Sequence, residues 1–121
     1  PWQWVGRLAA ESWRAVRLVI DTGIHAKGWT REQSIAYFLE NVPQGEVVAT
    51  QEVERYIAIP GQALSYKIGE LKLRELRARA EKVLGPKFDV RAFHDELLAH
   101  GSVPLSVLEA AVDRWIAAQQ Q

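Results

Sequence analysis

The 121-residue chain contains no cysteine and no methionine. Without cysteine there are no disulfides and no thiolate metal ligands, and the redox compartment is left open. No charge of either sign dominates: fifteen basic residues balance fifteen acidic ones. A net charge of zero supplies no global field that would draw the chain to nucleic acid or to a membrane surface. Long apolar runs are missing too, so no membrane span is predicted. Neither a signal-like N-terminus nor an internal repeat is present, and the only low-complexity segment is the short glutamine tail. Histidine is scarce. His25, His94 and His100 form no HExxH and no pair at i,i+4. His94 and His100 are six residues apart, which on a helix points them to different sides, so no metal site is expected within this chain. The absent initiator methionine and the opening PWQW read as mid-protein sequence. That predicts a piece of a longer chain; methionine removal from a complete small protein is the alternative.

What is present is a helical pattern. Hydrophobic residues make up 48% and charged residues 25%, ordinary for a soluble globular domain or a part of one, taken here as residues 1–121. Val5, Leu8, Ala9, Trp13, Val16, Ile20 and Ile24 follow helical spacing, predicting a helix from about Val5 to Ala26 that stops near Gly28. Gly23 inside it suggests close approach by another backbone. Thr30 and Gln33 match a capping box that opens a second helix. A third covers roughly Glu46 to Ile57. Pro60 breaks it and starts a long fourth helix, about Gly61 to Leu84, roughly 36 Å at the usual rise. Gly85-Pro86 ends that helix; Asp89 caps a fifth, and Pro104 opens a sixth. No segment alternates as a strand does. The fold class is all-α, five to six helices joined by short loops.

Several constellations point to chemistry. Arg17, Asp21 and His25 follow one another at steps of four, so their side chains share a helix face. An aspartate one turn before a histidine can accept a ring N–H and fix the tautomer, freeing the other nitrogen for a substrate. The same spacing also suits a solvated charge ladder. Gly61, Ser65 and Gly69 form a small-residue stripe flanked by Gln62 and Tyr66. A tyrosine there can donate to an oxyanion; a helix-packing groove with a tyrosine at its rim is the other reading. Arg55, beside Tyr56, can fork onto a carboxylate of a ligand, or pair with Glu52, Glu54 or Asp21. Lys72–Lys82 is a basic stretch, but Glu70–Arg74 and Glu75–Arg79 pair at i,i+4 with the glutamate first, the stabilising order. It reads as a salt-bridged amphipathic helix before it reads as a phosphate-contacting surface.

The blocks RLVIDTGIHAKGWTREQ, ERYIAIPGQALSYKIGELKLRELR, LG..FD with AFHDELL, and GSVPLSVLE resemble the C-terminal part of the bacterial proteins called domain of unknown function 885. The likeness runs from about Leu8 to Trp115. It implies helical zinc metallopeptidases of the gluzincin type, much longer than this chain, which would be the C-terminal helical portion of a larger peptidase-like fold. Zinc is implied for the full-length protein, its ligands lying upstream. The resemblance assigns Tyr66 and His25 to catalysis as oxyanion donors and Arg55 or Tyr56 to substrate binding; the spacing adds Gln62 to substrate binding, with Asp21 and Arg17 in support. The implied partners are a peptide substrate and the N-terminal part of the same protein. Bacterial cytoplasm and cell envelope both stay open. The competing expectation is a non-enzymatic helical module that binds a partner helix or peptide along the Gly61–Ser65–Gly69 stripe.

Overall fold

The computed structural model describes residues 2–121 and contains helices and turns only, with no strand among them. Six α-helices follow in order: α1 (Trp2–Lys27), α2 (Arg31–Asn41), α3 (Glu46–Ala58), α4 (Ser65–Leu84), α5 (Val90–Ala99) and α6 (Leu105–Gln119). The chain divides into two units, residues 1–68 and 69–121.

In the first unit, α1 packs on α2 and α3. Val16, Ile20, Phe38, Val42, Ala49, Val53, Tyr56 and Ala63 fill the interior, with Trp13, Trp29 and Tyr37 partly buried against them. Each apolar side chain fully withdrawn from water contributes about 1.5–3 kcal/mol. Trp13 meets Phe38 edge-on at 5.5 Å between centroids. The Thr30–Gln33 capping box forms in both directions. Ser12 Oγ donates to the carbonyl of Asn41 at 2.8 Å and ties α1 to the end of α2.

Two local expectations are corrected here. Gly23 faces a side chain, not another backbone: a Cβ at this position would stand 2.5 Å from the Trp29 indole. The Trp29 amide also donates to the Gly23 carbonyl at 2.9 Å, so chain and ring fold back together onto α1. The long fourth helix starts at Ser65, because Gln62–Leu64 form a single 3-10 turn after Gly61. Gly61 has φ +81°, a left-handed conformation that glycine adopts without a Cβ penalty. Gly61 therefore stands outside α4, and the three small residues at 61, 65 and 69 do not form one helical stripe.

The second unit holds most of α4 together with α5 and α6. Leu76, Ala80, Leu84, Phe93, Leu108, Val112 and Ile116 form its core. Phe93 lies at the centre, its ring 6.0 Å from Trp115 and 5.9 Å from Phe88. Asp89 caps α5 by accepting from the Arg91 amide. Outside, Arg79 binds Glu75, Glu109 and Asp113, and Lys72 binds Glu75 and Glu109. The expected Glu70–Arg74 and Glu75–Arg79 pairs are both formed, so the basic stretch is threaded with carboxylates.

Candidate functional site

The polar face of α1 grips the connection between α3 and α4. At its first position Arg17 donates through Nη2 to Oε1 of Gln62 at 2.8 Å. One turn on, both carboxylate oxygens of Asp21 accept from the Gly61 amide at 3.1 and 3.2 Å. One turn further, His25 Nε2 lies 3.0 Å from the Tyr56 carbonyl. A carbonyl only accepts, so Nε2 carries the hydrogen. The step of four that suggested a catalytic ladder thus matches three attachment points, two on the connection after α3 and one, the Tyr56 carbonyl, within α3. Asp21 does not fix the His25 tautomer, because its oxygens are engaged by Gly61; the Tyr56 carbonyl performs that office.

Beside Arg17 lies a pocket of about 280 Å³ lined by Ala10, Trp13, Arg14, Arg17, Glu52, Arg55 and Tyr66. Tyr66 stands at its rim and is half exposed. The Arg17 guanidinium lies over the Tyr66 ring at 5.0 Å and the Arg14 guanidinium at 5.6 Å. Both are within cation–π range. Arg17 also lies 5.5 Å from the Tyr56 ring, so its head group is held between two aromatic rings. The Tyr66 hydroxyl has no hydrogen-bond partner among the described residues, which leaves it available to a ligand.

Glu52 and Arg55 form the opposite side. Arg55 donates to both oxygens of Glu52, from Nη2 at 2.7 Å and from Nε at 3.2 Å. The Tyr56 hydroxyl donates to the same carboxylate and accepts from Trp13 Nε1. Burial pushes the Glu52 carboxyl up, but the hydrogen bonds from Arg55 and Tyr56 outweigh it and hold it below the usual carboxylate range. The Arg55 guanidinium is held above its ordinary value, first by its hydrogen bond to Glu52. Burial and then the bond to Glu52 push the Tyr56 phenol well above its ordinary value, so it stays protonated.

The expected site residues therefore separate into three groups. Tyr66, Arg17 and Arg55 come together at the pocket, and Gln62 adjoins it through its bonds to both arginines. Tyr56 is 1% exposed, its hydroxyl is engaged by Glu52, and it is not among the pocket's lining residues. His25 is not among the pocket's lining residues and is held by the Tyr56 carbonyl; it is not paired with Tyr66. Four lining residues, Ala10, Trp13, Arg14 and Glu52, were not among the expected site residues. Trp13 and Arg14 are on the same helix face region as Arg17, at spacings of four and three, and that was the available signal. Glu52 was named only as a possible ion-pair partner of Arg55, three residues on, and that pair is formed.

Among the described residues no group of three or more His, Cys, Asp or Glu side chains is placed to hold a metal ion. No helix of the described residues is long and apolar enough to cross a membrane.

A family model described as "bacterial protein of unknown function (DUF885)" matches residues 1–112. Among solved structures, the chain is similar to a candidate lipoprotein from Colwellia psychrerythraea, at 52% identity with a TM-score of 0.91. The similarity covers 94% of this chain and 20% of that one, so the chain spans about a fifth of that protein's length. No curated protein matches.

Proposed function

We propose that this chain, which belongs to the bacterial family of unknown function DUF885, is the C-terminal helical portion of a peptidase and supplies one wall of its substrate cleft. The reading rests above all on Tyr66: a half-exposed phenol at the rim of a pocket, with two guanidiniums against its ring and its hydroxyl unengaged. In this role the phenol donates a hydrogen bond to the oxygen that becomes negative when a peptide carbonyl is attacked. The adjacent cations of Arg14 and Arg17 favour that charge in a site partly withdrawn from water. Arg17, Asp21 and His25 act through the connection they hold and keep Tyr66 in place; His25 is then a positioning residue. Zinc and the attacking water belong, in this proposal, to a segment of the whole protein outside this chain.

The test is Tyr66→Phe in the intact protein that carries this chain. The ring, and with it the stacking on Arg14 and Arg17, is kept while the donor is lost. kcat for peptide hydrolysis is expected to fall by tenfold or more, in line with the loss of about 2.7–4 kcal/mol typical for one oxyanion donor. Zinc content and KM stay as they were. An unchanged kcat removes Tyr66 from the mechanism.

A second reading has one observation in its favour. Trp2, Trp4, Val5 and Leu8 leave an apolar face exposed at the start of α1. Exposed apolar clusters mark surfaces that another protein segment covers. A purely non-enzymatic module uses that face and leaves the Tyr66 pocket idle, so it predicts no effect of Tyr66→Phe on any activity of the whole protein.

A further inference from the structure

The pocket beside Tyr66 holds an excess of positive charge. Three guanidiniums and one carboxylate line it. The carboxylate, Glu52, is taken up by Arg55 and Tyr56. Arg17 is only 9% exposed, yet no carboxylate among the described residues pairs with it. Its neighbours are two ring faces and the amide oxygen of Gln62, and its Nε is buried with no hydrogen-bond partner at all. Arg14 has a backbone carbonyl and the Tyr66 ring, but no carboxylate. Burying a charge is costly unless an opposite charge or a full set of hydrogen bonds compensates. Gln62 sharpens the contrast. Its Oε1 accepts from both Arg17, at 2.8 Å, and Arg55, at 3.1 Å. Where two cations converge the chain provides a neutral amide, not a carboxylate.

We infer that Arg17 and Arg14 anchor the C-terminal carboxylate of a peptide, so that this wall selects substrates with a free C-terminus and directs removal of the last residue. The preference for a carboxylate stands on the charge pattern alone; the peptide as its bearer rests on the peptidase reading. Guanidinium forks match carboxylates, and Arg17 and Arg14 both line the pocket without a carboxylate partner among the described residues. The apolar parts of Ala10 and Trp13 line the same space, and about 280 Å³ suits roughly one residue. The Arg17 head group is 5.0 Å from the Tyr66 ring. Consecutive Cα atoms are about 3.8 Å apart, so a carboxylate held there leaves the next peptide bond inward within reach of the Tyr66 phenol. That geometry specifies exo-cleavage and disfavours internal cleavage.

The experiment compares a peptide with a free C-terminus and the same peptide amidated, using the intact protein, with products identified by mass spectrometry. The free acid is expected to lose one C-terminal residue, with kcat/KM at least about tenfold above that of the amide, the value of a hydrogen bond to a charged group. Gln62→Glu places a carboxylate of the chain itself between Arg17 and Arg55. It is expected to raise KM for the free acid about tenfold or more, and by clearly more than it raises KM for the amide. Its melting temperature is expected to be no lower than that of the parent. Should that variant not fold, Arg14→Gln, at an exposed position, is expected to raise KM for the free acid in the same direction. Equal cleavage of acid and amide, or cleavage at internal bonds, overturns the inference. If no peptide is cleaved, the peptidase reading fails and binding decides the anchor by itself. N-acetylphenylalanine is then expected to bind and N-acetylphenylalaninamide not to bind. Equal binding of the two, binding of neither, or equally tight binding of inorganic phosphate overturns it.

Discussion

The two units manage polarity in opposite ways. Every buried polar or charged residue found among the described residues belongs to the first unit: Arg17, Asp21 and Ser34. The second unit has an interior of hydrocarbon and aromatic rings, and its charges form networks on the outside, around Arg79 and Lys72. Buried polar groups cost stability unless they are fully satisfied, so a fold keeps them where they position something. Asp21 is satisfied by the Gly61 amide, and Arg17 is not fully satisfied. Exceptions to packing rules concentrate at functional sites. The exceptions therefore concentrate in the first unit, and the second is of conventional construction.

The comparison is broken most severely in the cores, where the units are alike. Phe38→Ala in the first unit and Phe93→Ala in the second each remove a ring that is at most 2% exposed. Each is expected to lose about 3–5 kcal/mol. Urea denaturation of the chain, followed by circular dichroism, measures both. A loss below about 1 kcal/mol at either position would show that core to be loosely packed.

Gly23→Ala has the next largest effect and acts in the first unit alone. The added methyl meets the Trp29 indole at 2.5 Å, so the ring that closes α1 must shift. Overpacking of this kind costs about 1–3 kcal/mol. In a Trp29→Leu background the same change is expected to cost clearly less, because the two sites share one contact. Full additivity of the two substitutions would mean that the indole is not what keeps residue 23 a glycine.

Much of the fold was legible because its signals are local. Thr30 with Gln33, Asp89 and the Gly85-Pro86 stop are each read within four residues, and each does in the structure what its chemistry requires. The glutamate-first pairs along α4 are local as well. What was not legible depends on partners far along the chain. Arg17 and Asp21 were found by spacing, but their partners Gln62 and Gly61 lie 45 and 40 residues away. Periodicity shows which residues share a face and is silent about what that face meets. The surroundings of Tyr56 were hidden for the same reason. An aromatic next to Arg55 resembles a binding residue until Trp13, 43 residues earlier, covers it.

Glu52→Gln sharpens the contrast through pH. The folded-state carboxyl of Glu52 titrates below its ordinary value of 4.5, so the folded protein binds the proton less readily than the unfolded chain. The stability that follows is fully present above the ordinary value and is lost as pH falls through the folded-state value. The melting temperature of the parent is expected to drop over that acidic range, and the variant's curve is expected to be flatter there. Parallel curves would mean that Glu52 contributes nothing to acid sensitivity and that other carboxylates carry it.

The smallest effect belongs to the second unit's surface. Arg79 pairs with Glu75, Glu109 and Asp113, and its guanidinium is held above its ordinary value, first by the bond to Glu109. All of these groups are partly open to solvent, where salt screens charge. Arg79→Gln is thus expected to lower the melting temperature slightly in dilute buffer, and the difference should vanish near 1 M salt, where the Debye length is about 3 Å. Arg17→Met is the matched change in the first unit. Its surroundings are rings and an amide inside the fold, so the shift it causes should hardly respond to salt. Equal salt sensitivity of the two variants would erase the division between a unit that buries charge and one that carries it outside.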